Sequence, residues 1–300
     1  MLVLVRIAPE INLKSRQVKA RFLKTLVSNM RLALKKTGNP FKISEKWTRI
    51  YVELEESKDL AVLTRVFGIS SLSPVEMITK PALDDIISEA QSKYTSLLPG
   101  KTFAIRAKRR GAVGFTSKDI EVALGSALLN CSKGVDLSKP DIKIEVEVCQ
   151  QRALFFQERI PCPGGLPLGT EGRALCMLSG GFDSAVAAWL SMKRGVAVDF
   201  VLCNLGGNAY ARSVIMVAKK LSENWAYGYE PRFYILDFAE IRDDILKNAR
   251  SQYSQILLKR AMYQSCHLLF SEQKKWLALI TGESLGRGGC TSRRRSRRFL

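Results

Sequence analysis

From residue 174 onward, continuous apolar runs alternate with helical stretches, and this alternation constrains the fold more than any other feature. Apolar runs lie at 174–178, 196–205, 232–238 and 276–281, and helical spacing fills 184–194, 210–225 and 241–272 between them. Strands that are apolar on both faces are typical of a parallel sheet covered by helices on both sides. The sequence therefore predicts an α/β domain with a parallel sheet over 174–286.

The first 165 residues predict two smaller α+β units. Over 1–79, strands at 2–8, 46–54 and 71–78 alternate with helices at 14–36 and 58–67, an order that suggests a ferredoxin-like unit. Over 80–165, helices are predicted at 82–98 and 118–130 and strands at 101–107, 141–148 and 153–160. Ser117 is expected to cap the helix at 118–130, with Glu121 completing the cap. The Gly- and Pro-rich stretch 161–172 is predicted to be a linker.

The charge of the chain points to a polyanionic partner. Lys and Arg number 47 against 28 acids, for a net charge of +19, which favours a nucleic acid or an anionic membrane surface. The predicted helix at 14–36 contains eight Lys and Arg residues and no acid. No apolar run approaches the roughly 20 residues that span a bilayer, so we expect no membrane association.

The cysteine and histidine content excludes several classes of site. The seven cysteines are scattered and form no CxxC pair, which argues against a disulfide framework, a zinc site or an iron–sulfur cluster. With no signal peptide expected at the N-terminus, a reduced cytoplasmic compartment is predicted, and no metal-ligating residue is assigned. The single histidine, His267, lies in an apolar helical stretch and is predicted to pack in the core. Ser-His-Asp and Cys-His catalysis is therefore not expected.

One short motif has the features of a phosphate-binding loop. The predicted strand 174–178 runs directly into Ser179, Gly180, Gly181, Phe182, Asp183 and Ser184, where a helix begins. Two glycines let backbone N–H groups approach an anion, and the helix N-terminus adds a partial positive charge. The hydroxyls of Ser179 and Ser184 can donate hydrogen bonds, and Asp183 is expected to hold Mg²⁺ or orient the loop. The loop has no P-loop lysine, so kinase or GTPase mechanics do not follow.

The sequence SGGFDS resembles the PP-loop of the ATP pyrophosphatase superfamily, whose members cleave ATP to AMP and pyrophosphate. The longer stretch GLPLGTEGRALCMLSGGFDSAVAAWLSMKRG is similar to the tRNA 4-thiouridine synthetase family, as are FVLCNLGG at 200–207, LLKRAMYQ at 257–264 and ALITGESLG at 278–286. FAIRAKRRGAVGFTS resembles the THUMP domain of that family, an RNA-binding module preceded by a ferredoxin-like domain. The resemblance covers nearly the whole chain to Gly286. It implies a ferredoxin-like domain at 1–79, a THUMP domain at 80–165 and a PP-loop ATP pyrophosphatase domain at 174–286.

The resemblance also implies where the ligands bind. Met177, Leu178, Leu202 and Cys203 should line the adenosine site, residues 179–184 should hold the phosphates, and Gly282 should close the pocket. Asp183 and Lys259 are the implied catalytic residues, Lys259 by neutralising charge at the phosphates. The implied RNA-binding residues are the six cations of the THUMP-like segment, namely Lys101, Arg106, Lys108, Arg109, Arg110 and Lys118.

The reaction that the family resemblance implies has two steps. The O4 atom of a uridine at position 8 of tRNA attacks the α-phosphate of ATP, with Mg²⁺ present, and pyrophosphate leaves. A persulfide sulfur from a cysteine desulfurase then displaces AMP. A role in thiazole synthesis for thiamine and the formation of a homodimer stay open.

The chain also departs from the family pattern. Relatives continue after Gly286 with an ATP-contacting segment and a sulfur-transfer cysteine, whereas 287–300 is a basic, atypical tail here, so the PP-loop domain is expected to be incomplete. Tyr210 stands where relatives often have His. Two alternatives to the sulfurtransferase hypothesis therefore stay open. One is a catalytically incomplete tRNA-binding remnant, and the other is another PP-loop enzyme, such as an amidotransferase or NAD synthetase.

Overall fold

The computed structural model describes residues 1–46, 49–111 and 114–283, so the predicted tail at 287–300 lies outside the described residues. Its strands are β1 (Leu2–Ile7), β2 (Phe41–Lys46), β3 (Arg49–Leu54), β4 (Ile69–Val75), β5 (Met77–Thr79), β6 (Thr102–Arg109), β7 (Gly134–Val135), β8 (Ile142–Cys149), β9 (Arg152–Phe156), β10 (Ile160–Pro161), β11 (Arg173–Met177), β12 (Ala197–Asn204), β13 (Phe233–Asp237) and β14 (Ala278–Ile280). Its helices are α1 (Pro9–Asn12), α2 (Arg16–Lys35), α3 (Leu60–Leu63), α4 (Leu83–Tyr94), α5 (Ser117–Leu129), α6 (Phe182–Lys193), α7 (Gly207–Trp225), α8 (Ala239–Asn248) and α9 (Ser251–Gln273).

The first sheet has the strand order β10-β4-β1-β3-β2. Strand β3 pairs antiparallel with both β1 and β2. The chain order is therefore β-α-β-β-α-β, as expected of a ferredoxin-like unit. The predicted order of five elements was wrong by one strand, because β2 was missed. Its sequence, FKISEK, is short and charged, as is typical of an edge strand, and it directly follows the Gly-Asn-Pro stretch that ends α2.

The second sheet has the order β5-β9-β8-β6-β7, with β6 parallel to β7 and β8, and β9 antiparallel to β5 and β8. Helices α4 and α5 share one hydrophobic core with β6, β8 and β9. The predicted cap of α5 was wrong. Thr116 is the N-cap, with its Oγ1 accepting from the Asp119 N–H at 3.2 Å while the Asp119 carboxylate accepts from the Thr116 N–H at 2.7 Å. Glu121 instead accepts a hydrogen bond from the backbone of Ala107.

The third sheet confirms the predicted parallel α/β arrangement. Its order is β13-β12-β11-β14, and every pair is parallel. One face packs on α6 and α7 through residues such as Phe200, Met192 and Val214. On the other face, buried Cys266 of α9 packs with Leu175. Both faces of β11 and β12 are thus covered, as their continuous apolar sequences indicated.

Two predictions for the last helical stretch were wrong. The single helix expected at 241–272 is two helices, α8 and α9, separated by extended backbone at Ala249 and Arg250. Neither proline nor glycine marks this break, so the periodicity of the sequence could not reveal it. His267, predicted to pack in the core, is exposed on α9, because Cys266 takes the inward-facing position next to it.

The described chain divides into two compact units. One comprises residues 1–6, 39–60 and 71–161, and the other comprises residues 7–38 and 61–70 together with the described residues from 162 onward. The first unit contains the second sheet, and the second contains α1, α2 and the parallel sheet. The domain boundaries 1–79, 80–165 and 174–286 stay predictions. No helix within the described ranges is long and apolar enough to cross a membrane.

Candidate nucleotide and RNA sites

The glycine loop lies at the carboxyl edge of the parallel sheet, between β11 and α6. Strand β11 ends at Met177, and α6 begins at Phe182 with Gly181 as its N-cap. No side chain of the described residues caps this helix, so the N–H groups of its first turn are free to bind an anion. Ser179, Gly180, Gly181 and Asp183 are all exposed, which leaves the loop open to a ligand.

The buried Ser184 hydroxyl contacts both Ser179 and Gly181 and so connects the two ends of the loop. Its Oγ accepts a hydrogen bond from the Ser179 N–H at 3.1 Å, lies 3.0 Å from the Ser179 Oγ and donates to the Gly181 carbonyl at 3.3 Å. Ser184 is only 4% exposed. The structure therefore gives this side chain a role in shaping the loop, and the expected hydrogen bond from Ser184 to a phosphate stays a prediction.

Two polar side chains at the carboxyl edge were not predicted as site residues, although Tyr210 was noted as a departure from the family pattern. The phenol oxygen of Tyr210, in the first turns of α7, accepts a hydrogen bond from the Gly180 N–H at 3.3 Å. At the end of β12, the buried Oδ1 of Asn204 has no hydrogen-bond partner among the described atoms. Asn204 lies within the sequence FVLCNLGG, and Tyr210 follows it. Their position after a predicted parallel strand was therefore the feature of the sequence that could have placed them at the carboxyl edge.

The segment after β14 forms another wall of the loop site. A Cβ atom added to Gly282 would lie 2.4 Å from the Ser184 nitrogen and 2.6 Å from the Asp183 carbonyl carbon, so Gly282 lies directly against the start of α6. The neighbouring Glu283 accepts from Lys259 at 2.7 Å and from the Tyr263 hydroxyl at 2.6 Å. Burial by itself raises the pKa of Glu283, but these two partners bring that pKa below its ordinary value. The fold thus brings the predicted residues Lys259 and Gly282 together with the loop.

The predicted adenosine residues lie at the ends of β11 and β12, mostly inside the core. Leu178 and Leu202 are 1% and 2% exposed and pack with the helices of one face, and Met177 packs on the other. A hydrogen bond with Cys266, together with burial, raises the pKa of Cys203 far above that of an ordinary thiol. A nucleotide at this edge would therefore contact mainly the backbone of these residues. The Cys203 side chain would be a neutral thiol there.

The six basic candidates for RNA binding divide into two groups. Five are exposed, namely Lys101, Lys108, Arg109, Arg110 and Lys118, and Arg106 is half-buried. Two of the six have hydrogen bonds within their own unit: Arg106 donates to the Leu137 carbonyl at 2.7 Å, and exposed Arg110 donates to the Glu147 carboxylate at 3.1 Å.

Glu147 is a fully buried carboxylate surrounded by arginines. It accepts from Arg49 at 2.7 and 3.2 Å and from Arg110, and Arg6 lies 3.7 Å away. Burial by itself raises the pKa of Glu147, yet the arginines hold that pKa below the ordinary value. Because Glu147 takes up part of the charge of Arg110, this arginine would attract RNA less strongly than a cation without an acidic partner.

Comparison with known proteins covers most of the chain. Three family models match: the ThiI ferredoxin-like domain at residues 2–73, the THUMP domain at 81–156 and the thiamine biosynthesis protein ThiI at 169–291. The tRNA sulfurtransferase of Desulfurococcus amylolyticus is 38% identical over 94% of this chain, and that of Thermoplasma volcanium is 36% identical over 92%. The chain spans only 58% and 57% of the lengths of these two proteins.

Other relatives are matched over more of their length. A probable tRNA sulfurtransferase of Sulfurisphaera tokodaii is 35% identical, and the match covers 95% of this chain and 75% of that protein. A 4-thiouridine synthetase solved in complex with RNA and with bound ATP is 28% identical, with a TM-score of 0.75 over 95% of this chain and 74% of that one. A protein of Pyrococcus horikoshii Ot3 is 32% identical, with a TM-score of 0.65 over 82% of this chain and 83% of its own. With the parallel sheet, the glycine loop and this extent of identity, the chain belongs to the tRNA sulfurtransferase (ThiI) family.

Proposed function

We propose that this chain uses ATP to activate a uridine of tRNA for thiolation. The observation that carries the proposal is the exposed, uncapped glycine loop at the start of α6, open at the edge of a parallel sheet. Ligands of open α/β sheets bind at this edge. The relatives named tRNA sulfurtransferase and the neighbour bound to RNA and ATP support the assignment of ATP and tRNA to this site.

The residues at the loop fit a triphosphate. The N–H groups of the first turn of α6 offer hydrogen bonds and a partial positive charge to phosphate oxygens, whereas the Gly181 N–H donates to the Ser179 Oγ at 3.4 Å within the loop. Lys259 is positioned next to Gly282 through its ion pair with Glu283 and would neutralise charge that develops on the phosphates. Asp183 has an exposed carboxylate in the first turn, an oxygen ligand of the kind that Mg²⁺ prefers, and it would hold that ion beside the phosphates. Positioning and charge neutralisation are the main contributions that proteins make to phosphoryl transfer.

The proposed reaction begins when the O4 atom of the uridine attacks the α-phosphorus. The bond from that phosphorus to the pyrophosphate oxygen breaks, and the uridine gives up its N3 proton. The outer sulfur of a persulfide, formed with a cysteine desulfurase, then attacks C4, and AMP leaves. A second thiol attacks the carrier sulfur of the resulting disulfide, which breaks the S–S bond, leaves the sulfur on C4 and joins the second thiol to the carrier as a disulfide. Among the described cysteines, Cys176, Cys203 and Cys266 are buried, so the described residues support adenylation more directly than sulfur delivery. A homodimer and a role in thiamine thiazole synthesis belong to the same proposal.

The proposal is tested by release of labelled pyrophosphate from ATP in the presence of tRNA. Asp183→Asn should lower the rate by about 10²-fold or more, because the transferring phosphate loses electrostatic stabilisation. Asp84→Asn is the matched control, since Asp84 is also an exposed aspartate in the first turn of a helix, α4. Its rate should equal that of the wild-type chain.

Two outcomes would favour other functions. Well-folded protein that binds tRNA but releases no pyrophosphate would be a non-catalytic tRNA-binding remnant. Consumption of ATP with ammonia or glutamine, without any effect of tRNA, would indicate a PP-loop amidotransferase or NAD synthetase.

A further inference from the structure

One exposed face of α2 is a continuous polar and basic surface. Its residues follow one another at spacings of four and three, which places them on a single line along the helix. All six members are exposed, and we call them the basic stripe: Gln17, Arg21, Lys24, Ser28, Arg31 and Lys35. The apolar residues of α2 lie on the opposite side and are buried, among them Phe22, Leu26 and Met30. The stripe is therefore not needed for the core.

The charge of the stripe is not compensated within the protein. Helix α2 contains no acid, and none of the four cations forms an ion pair with a carboxylate of the described residues. Arg31 and Lys35 are four residues apart, and Arg21 and Lys24 are three apart, so like charges face each other along the helix and repel. The cations extend over about 21 Å of helix. A polyanion bound along the stripe would remove this repulsion.

A cleft of about 470 Å³ adjoins the middle of the stripe. Lys24 and Ser28 line one side, and Gly169 and Arg173 line the other. No acid is among its lining residues. The Arg173 guanidinium lies over the ring of Tyr229, 5.4 Å from its centroid. The cleft therefore presents two cations and a hydroxyl to one small anion.

Polar groups in and behind the walls of the cleft already have hydrogen-bond partners within the protein. The Tyr229 hydroxyl donates to buried Asp199 at 2.6 Å, and Asn29 donates to the Leu168 carbonyl at 3.1 Å. The Asp199 carboxylate also accepts from Trp276 at 2.8 Å. Since these polar groups have partners, Lys24 and Arg173 are the groups left to attract a ligand.

We propose that the basic stripe and its cleft bind the phosphodiester backbone of the tRNA, as a contact surface separate from the cations of residues 101–118. This inference rests on tRNA being the substrate. Leu32, 43% exposed beside the stripe, is the one exposed large apolar residue of α2, and this scarcity of apolar surface argues against two other occupants. An anionic membrane is bound by helices with an exposed apolar face, and a protein interface is usually centred on aromatic or apolar residues. Backbone phosphates need only cations and hydrogen-bond donors.

The test measures the binding of a labelled tRNA by fluorescence anisotropy between 50 and 300 mM KCl (roughly the range in which phosphate contacts are screened). Two double variants remove charge from the stripe, Arg21→Gln with Lys24→Gln, and Arg31→Gln with Lys35→Gln. Glutamine is a good helix former, so folding should be preserved, and thermal unfolding verifies this. The control variant, Lys220→Gln with Lys247→Gln, removes the same charge from exposed positions on α7 and α8.

Each stripe variant should reduce the slope of log K against log salt by about 1.8, because each lost phosphate contact contributes about 0.9. Affinity near 0.1 M salt should fall about tenfold or more, while the control should bind like the wild-type chain. If both stripe variants bound tRNA as tightly as the wild-type chain does, the inference would be overturned and the proposed function would remain intact. If the wild-type chain itself failed to bind tRNA, both would fall. Stripe-dependent binding to phosphatidylserine vesicles, with unchanged tRNA binding, would also overturn the inference.

Discussion

Replacing Gly282 by alanine tests whether the segment after β14 fixes the glycine loop. The added Cβ would lie 2.4 Å from the Ser184 nitrogen and 2.7 Å from the Ser184 Cα. Ordinary contacts begin at about 3.5 Å, so the two segments must separate by about 1 Å. Gly282 is not among the glycines with positive φ, and alanine can adopt its backbone conformation. Any change in ATP affinity or in thermal stability should therefore come from the close contact between the new Cβ and Ser184.

Overpacking of this kind costs about 1–3 kcal/mol. If the start of α6 moves to relieve the overlap, the same energy is lost from nucleotide binding, because the loop must return to its original position to hold the phosphates. We therefore expect the Kd for ATP to rise roughly 5- to 150-fold. The midpoint of thermal unfolding should fall by several °C. Titration calorimetry and differential scanning fluorimetry measure the two effects.

Gly125→Ala provides the matched control, since no atom lies within 4 Å of the new Cβ and the residue is inside α5. This change should stabilise the protein by up to ~1 kcal/mol and leave ATP binding unchanged. If Gly282→Ala bound ATP as tightly as the wild-type chain and unfolded at the same temperature, the close contact between Gly282 and α6 would not shape the loop. The reasoning from geometry would then be wrong.

Two further predictions follow from the buried and exposed hydrogen bonds. Glu147→Gln should destabilise the protein by about 3–5 kcal/mol at pH 7, because Arg49 would be left buried without its counter-charge. Since the pKa of Glu147 is lowered on folding, its stabilisation is present above its unfolded pKa and is lost as pH falls through its folded pKa. The difference in urea midpoint between variant and wild type should thus be smaller at pH 3 than at pH 7. An equal difference at the two pH values would contradict the assigned role of the Glu147 charge. Tyr210→Phe removes the acceptor for the Gly180 N–H and should cost about 0.5–1.5 kcal/mol of stability, with ATP affinity changed less than threefold. Tyr253→Phe, at an exposed tyrosine, is the control, and a loss of ATP affinity above tenfold in Tyr210→Phe would mean that the phenol contacts the nucleotide itself.

The parallel sheet was predictable because its strands are buried on both faces. The run at 196–205 predicted β12 to within one residue at each end, and α6 and α7 followed from the helical spacing between apolar runs. Strand β2 was missed because an edge strand needs no apolar alternation. The division between α8 and α9 was missed because it depends on backbone conformation at Ala249 and Arg250, which no residue type there demands.

The loop itself was predictable, and its surroundings were not. Two glycines between a strand and a helix have few uses other than close approach of a ligand or of backbone. In contrast, the contacts of Ser184 with Ser179 and of Tyr210 with Gly180 depend on side-chain directions that only the folded chain defines. The basic stripe was partly visible as eight cations in one acid-free helix. Which of them share an exposed face became clear only from the burial of α2.

In the proposed site, the ion pair between Lys259 and Glu283 would hold a cation ready for a phosphate. The pair is 2.7 Å long, and its side chains are 36% and 33% exposed. Ion pairs at this exposure contribute about 0–1 kcal/mol, whereas a lysine without any partner would be free to point elsewhere in solvent. The ion pair with Glu283 is therefore strong enough to keep Lys259 beside Gly282 and weak enough to be broken when another anion binds Lys259. Because Tyr263 also donates to Glu283, the carboxylate would retain one partner if Lys259 moved to a phosphate, and this would lower the cost of the proposed exchange further.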